Sequence, residues 1–148
     1  MADIRFYHME RSSLEQVLPQ LLNKALSGGH KIILQSPQGQ VERLNTHLWS
    51  YDVKSFLPHG SAKDGYASAQ PIWLSADNEN PNGANVLILT HGMSRDDVSE
   101  FSMVCEMLDG RDVEAVSAAR GRWKLYKDAG HEVTYWQQDP NGKWEKKA

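Results

Sequence analysis

The chain has 148 residues, with 16 Lys and Arg against 19 Asp and Glu, a formal net charge of −3, 40% hydrophobic and 24% charged residues. That composition is typical of a folded globular protein, and its charge balance argues against the broad basic surface that holds duplex DNA or a membrane. One cysteine, Cys105, excludes an internal disulfide framework and a cysteine-based zinc site, and no apolar run nears the ~18 residues needed to cross a bilayer. The polar N-terminus lacks the apolar stretch of a secretory signal, so a cytoplasmic location is expected.

The elements follow in chain order. Ile4–His8 is a short β-prone run. Leu14, Val17, Leu18, Leu21, Leu22, Ala25 and Leu26 recur at helical spacing, with Ser12 or Ser13 as N-cap and Gly28-Gly29 as the stop. Pro19 inside that pattern should kink or shorten the helix. Lys31–Gln35 reads as a buried strand, and Gln38–Trp49 as a helix with Val41, Leu44, Leu48 and Trp49 turned inward. Phe56–Ala69 reads as a loop, Pro71–Leu74 as a strand, Asn78–Gly83 as a turn, and Val86–Thr90 as another buried strand. Two helices are expected next, Arg95–Leu108 and Asp112–Ala129, the second ended by Gly130. Glu132–Trp136 is a last strand before a turn at Asp139-Pro140-Asn141-Gly142. Residues 137–148 fit a closing hairpin or a mobile tail equally well. Strands alternating with amphipathic helices imply an α/β sandwich with a mostly parallel, Rossmann-like sheet, in one domain over residues 1–148.

Catalytic signatures are weak. Gly60 to Gly65 has the glycine spacing of a phosphate loop, but Tyr66-Ala67 replaces the Lys and Ser/Thr that contact phosphate and Mg²⁺. No G-x-G-x-x-G stands anywhere in the chain. The six histidines are scattered, and no cofactor or metal site is expected. His91, just after Val86–Thr90, is the best single catalytic candidate, because strand ends are where α/β sites gather; a structural or surface role fits it better. Cys105 reads as a buried, inert thiol on the Arg95–Leu108 helix.

The charge distribution is more informative. From Asp96 to Glu114 seven acids face a single base, Arg111, with Arg95 at the edge. From Arg120 to Lys127 there are four bases and no acid. At about 100° per residue, Arg120, Lys124 and Lys127 share a helical stripe flanked by Trp123 and Tyr126, while Arg122 projects elsewhere. Such a stripe is often no more than a solvated face. Alternatively, it can receive an acidic peptide with an apolar tip, the cations taking carboxylates and the rings walling a pocket.

At these residues the sequence resembles the chi subunit family of bacterial DNA polymerase III. The resemblance runs through Phe6-Tyr7, Gly29 and Lys31, and Leu44 with Leu48-Trp49. It continues through Ser55-Phe56-Leu57-Pro58-His59, Gln70-Pro71-Ile72, and Arg120-x-Arg122-Trp123-Lys124-x-Tyr126-Lys127-x-Ala129-Gly130. It implies a three-layer α/β/α fold and a non-catalytic replicase accessory subunit. Such a subunit binds the acidic C-terminal tail of single-stranded-DNA-binding protein and, through the psi subunit, links it to the clamp loader. On this resemblance Arg120, Trp123, Lys124 and Lys127 meet the tail, Trp49 and Phe56 line its apolar part, and Leu108 adds to the wall. The family usually carries Tyr at the position of Trp123. DNA would then be engaged mainly through the partner and the membrane not at all. Two rival readings remain: direct binding of single-stranded DNA by Trp123 and the basic stripe, and a nucleotide-handling α/β enzyme centred on His91.

Overall fold

The computed structural model describes residues 2–51 and 57–148. Its elements are β1 (Asp3–Met9), α1 (Leu14–Ser27), β2 (Ile32–Gln35), α2 (Gln38–Ser50), β3 (Gly60–Ser61), β4 (Ile72–Ser75), β5 (Val86–Leu89), β6 (Met103–Asp109), α3 (Val113–Asp128), β7 (Glu132–Gln138) and β8 (Trp144–Lys146). The strands form a single sheet in the order β3-β4-β2-β5-β6-β1-β7-β8. Every pairing is parallel except β7 with β8. The expected mostly parallel α/β architecture is therefore present.

Alternation along the strands divides the core between two faces. Tyr7, Met9, Ile32, Leu34, Ile88, Cys105 and Met107 pack with Leu18 and Leu22 of α1 and Leu44 and Leu48 of α2. Ile4, Phe6, Ile33, Leu87, Val104 and Leu108 pack on the other side with Ala119 and Tyr126 of α3. Two helices therefore cover one face and α3 the other. The four leucines of α1 and α2 are at most 2% exposed, and burying each contributes about 1.5–3 kcal/mol relative to leaving it in water.

Pro19 does not shorten α1. Ser13 caps the helix with a reciprocal box, its Oγ accepting from Gln16 N at 3.3 Å while Gln16 Oε1 accepts from Ser13 N at 2.8 Å. A proline has no N–H for the carbonyl four residues back, which here is that of Glu15. His47 of α2 supplies the missing donor, its Nε2 bonding Glu15 O at 2.7 Å. A tertiary contact thus replaces the lost helical bond, and the helix continues to Ser27.

The main correction concerns Arg95–Leu108, expected as a helix. Only Val98–Glu100 forms a helical turn, of 3₁₀ type, and Met103–Asp109 is the strand β6, so Cys105 lies on a strand. β6 pairs with β1 along seven residues and with β5 along four. A strand buried on both faces needs apolar residues at consecutive positions, so Val104, Cys105, Met107 and Leu108 carry no period of two. A smaller difference is the two-residue edge strand β3, expected as loop; of the two readings of residues 137–148 the closing hairpin is the one present, formed by β7, the Asp139–Gly142 turn and β8. Trp49, expected to turn inward, is 48% exposed.

Candidate functional site

α3 begins at Asp112, whose side chain accepts from the backbone N–H groups of Glu114 and Ala115. Its inner face is set by Ala119 and Tyr126, and by a charge brought down onto the sheet. Arg122 Nε donates to Glu106 Oε1 at 2.7 Å, and the Tyr126 hydroxyl donates to Glu106 Oε2 at 2.8 Å. Burial raises the Glu106 pKa, with Arg122 and the Tyr126 hydrogen bond opposing it. Burial, and then the charge of Glu106, raise that of the Tyr126 phenol. Arg122 is thus a structural cation, pointing away from the basic stripe as its helical position requires.

The outer residues of α3 line a cavity of about 270 Å³, bounded by His8, Arg120, Trp123, Tyr135, Gln137 and Ala148. Trp123 is held by Phe6, with ring centroids 5.9 Å apart, and by Tyr135, edge-on at 6.0 Å. Lys127 Nζ lies 5.1 Å from the Trp123 ring centroid, within cation–π range. Lys124 is exposed beside this cluster, outside the cavity lining. Among the described residues no ion pair engages Arg120, Lys124 or Lys127. Cations left open beside aromatic rings suit an anionic ligand with an apolar part.

The structure joins Arg120, Trp123 and Lys127, but it does not bring Trp49 to them. Trp49 is on α2, whose buried residues pack on the opposite sheet face. Its ring lies 4.1 Å from that of His59, which is itself anchored to the carbonyls of Leu57 at 2.5 Å and Asn45 at 3.1 Å. Phe56 lies outside the described residues. Leu108 is buried under α3 rather than lining the small cavity.

A larger opening, about 610 Å³, lies at the carboxyl ends of the strands where β1 leads into α1 on one face and β6 into α3 on the other. Such a switch point is the usual ligand crevice of an open α/β sheet, and His91 lines it as expected. The arginines of its wall are already paired: Arg43 with Glu15 at 2.5 Å, Arg111 with Asp109 at 3.0 Å, and Arg122 with Glu106. His91 has a left-handed backbone, φ 53°, its pKa is lowered by burial, and its Nδ1 lies 2.8 Å from the hydroxyl of Thr90. Thr90 is fully buried and donates to Ser36, so no exposed nucleophile stands beside this imidazole. Cys105 is buried and its thiol is pushed up to about 12 by desolvation. Among the described residues no group of three or more His, Cys, Asp or Glu side chains is placed to hold a metal ion. Nor is any helix there long and apolar enough to cross a membrane.

His8, Tyr135 and Gln137 were missed by sequence reasoning. Ile4, Phe6, His8 and Val133, Tyr135, Gln137 are same-face alternations that a period-of-two reading can find. What brings them together is the parallel pairing of β1 with β7, in which His8 and Gln137 are partners. Strands that far apart in sequence give no local sign of being neighbours.

Fold and side chains together define a mostly parallel α/β protein with cationic and aromatic side chains gathered on one helix. The chain belongs to the family described as DNA polymerase III chi subunit, HolC, whose profile matches residues 1–134. It is 32% identical over 109 residues to the probable DNA polymerase III subunit chi of Rickettsia prowazekii (strain Madrid E), a match covering 73% of this chain and 64% of that protein. With DNA polymerase III subunit chi of Escherichia coli (strain K12) it shares 24% identity over 121 residues, 80% of this chain and 82% of the other. With that of Pseudomonas aeruginosa (strain PAO1) it shares 26% over 135 residues, 88% and 93% of the two chains. The matched region thus spans just under two thirds of the Rickettsia protein and most of the other two. The family is one of DNA replication.

Proposed function

We propose that this protein is a non-catalytic accessory subunit of the replicative polymerase, working in the cytoplasm. In this reading its α3 surface holds the acidic C-terminal tail of single-stranded-DNA-binding protein. The observation that carries it is the cavity beside Arg120, a cation without an ion pair among the described residues, walled by Trp123 and Tyr135. A tail's carboxylates would meet Arg120, Lys124 and Lys127, and an aromatic side chain would lie against Trp123. Arg donates to carboxylates in bidentate geometry, and large rings contribute disproportionately to binding. Trp49, across the sheet, falls outside this surface. Its half-exposed ring offers a second face from which a psi subunit or clamp loader could be held while the tail remains bound.

The test is titration of a fluorescent acidic peptide ending in Pro-Phe against the wild type and Arg120→Glu at two salt concentrations. Binding that weakens with salt and disappears in a folded Arg120→Glu supports the reading. Equal affinity in wild type and variant removes it. A labelled single-stranded oligonucleotide forms the second arm: tight binding there, with none of the peptide, favours direct DNA binding through Trp123.

A further inference from the structure

The floor of the α3 cavity is a hydrogen-bond chain. Tyr135 Oη lies 2.5 Å from His8 Nδ1, and His8 Nε2 lies 3.1 Å from Glu10 Oε1. Gln137 Nε2 donates to that same Glu10 oxygen at 2.8 Å. His8 is 8% exposed, and its ring rests on the bare backbone of Gly110, where a Cβ would come within 2.0 Å of Nε2. The ring is therefore fixed between the tyrosine and the glutamate.

A neutral imidazole has one donor and one acceptor nitrogen, and a carboxylate only accepts. Facing Glu10, Nε2 must carry the hydrogen, so Nδ1 accepts from the Tyr135 hydroxyl. The phenolic hydrogen is then turned inward, and the cavity meets only oxygen lone pairs. Adding a proton to His8 reverses that bond. Nδ1 now donates to Tyr135 Oη, and the phenolic hydrogen is free to swing into the cavity on the side of Arg120.

We propose that Tyr135 receives a carboxylate entering the Arg120 cavity and that this binding draws a proton from solvent onto His8, so that acid strengthens capture of an acidic peptide. The inference rests on the tail-receptor reading above. The charged groups around His8 pull in opposite directions, two carboxylates favouring its protonation and one guanidinium opposing it. Glu10 of its own chain segment is the counter-charge at 3.1 Å, and Asp109 at the end of β6 also interacts with the imidazole charge. Tyr135 of β7 is the switched hydroxyl, and the field of Arg120 from α3 reaches it. Arg120 disfavours a second cation in an empty cavity; a bound carboxylate neutralises it and removes that opposition.

The experiment is calorimetric titration of the acidic peptide ending in Pro-Phe into the full chain at about pH 7, in phosphate and in Tris. The two buffers release different heats when they give up a proton. Wild type should take up a measurable fraction of a proton, and its affinity should rise as pH falls from about 8 to 6. One linked proton limits the slope to about tenfold per pH unit, and peptide carboxylates titrate well below this window. Tyr135→Phe keeps the ring and loses the switched hydroxyl, so uptake should fall to near zero while binding weakens and becomes flat with pH. His8→Gln should behave likewise. Salt-sensitive binding, lost in Arg120→Glu, but with no proton uptake by wild type or with unchanged uptake in Tyr135→Phe, overturns this inference and leaves the receptor reading standing. Failure of wild type to bind the peptide at any pH in the range overturns both.

Discussion

Replacing Arg122 by Leu should destabilise the fold far more than replacing its partner, because the two ends of the pair differ in their access to water. The Glu106 side chain is 3% exposed and that of Arg122 is 18% exposed. When Arg122 is removed, Glu106 keeps only the Tyr126 hydroxyl and has no route to solvent. Removing one partner of a buried pair costs about 3–5 kcal/mol because a buried charge is left uncompensated, and the lower end, about 3 kcal/mol, suits a site that retains one hydrogen bond. In Glu106→Gln the guanidinium can instead bend its long stem outward, and about 1–2 kcal/mol is expected. The penalty in Arg122→Leu should also depend on pH. Glu106 already has a raised folded-state pKa, and losing Arg122 raises it further. The native state then binds more protons than the unfolded chain between the unfolded carboxyl pKa, about 4.3, and the folded value. Stability must fall as pH rises through that window, so the defect is largest at pH 7.5 and shrinks toward pH 5. Urea unfolding measures this directly: with slopes of about 1–3 kcal/mol per molar, the wild-type and Arg122→Leu midpoints should differ by about 1–3 M at pH 7.5. A loss below about 1 kcal/mol, or one equally large at pH 5, would refute the uncompensated-charge argument.

Three further outcomes follow from features of the fold. His47→Ala leaves the Glu15 carbonyl without its donor and should cost about 1–2 kcal/mol in chemical denaturation; in a Pro19→Ala background, where a backbone N–H returns, the same substitution should cost measurably less. Trp123→Ala should weaken the acidic peptide by about thirtyfold or more, the scale of a binding hot spot, whereas Trp123→Tyr, which keeps a ring under Lys127, should stay within about fivefold by fluorescence titration. Cys105, buried and with its thiol pushed up to about 12, should resist a thiol-specific reagent at pH 8 in the native protein and react at the rate of unfolding; rapid labelling of the folded chain contradicts its burial.

The sequence shows much of the fold because most elements carry their own local signals. α1 announces itself through a capping box, an apolar stripe and two terminal glycines, and α3 through Asp112, its periodicity and Gly130. β6 does not, because a strand enclosed on both faces has no alternation to read, and Glu106 within it resembles the polar face of a helix until Arg122 and Tyr126 are seen to satisfy it. The site was legible in the same uneven way. Arg120, Trp123 and Lys127 are helical neighbours, so spacing alone groups them. Trp49 is grouped with them only through a family resemblance, and in the fold the sheet lies between. His8 and Tyr135 meet through the pairing of two strands at opposite ends of the chain, and Gly110 shows its purpose only once the His8 ring is seen lying on its Cα.

The two margins of the sheet bear on how the protein behaves when many copies are crowded together. One margin is β3, only two residues long, and the other is β8, three residues long, carrying Glu145 and Lys146 and followed by Lys147. Edge strands this short offer few unpaired backbone groups in line, and the charges of β8 add to the effect, so both template further strands poorly. Running antiparallel, β8 also pairs with Trp136–Gln138 of the seven-residue β7 and so shortens the border that strand would otherwise leave open. The arrangement suits the proposed role, because the sheet gives a second copy little to extend while α3 keeps its outer residues exposed.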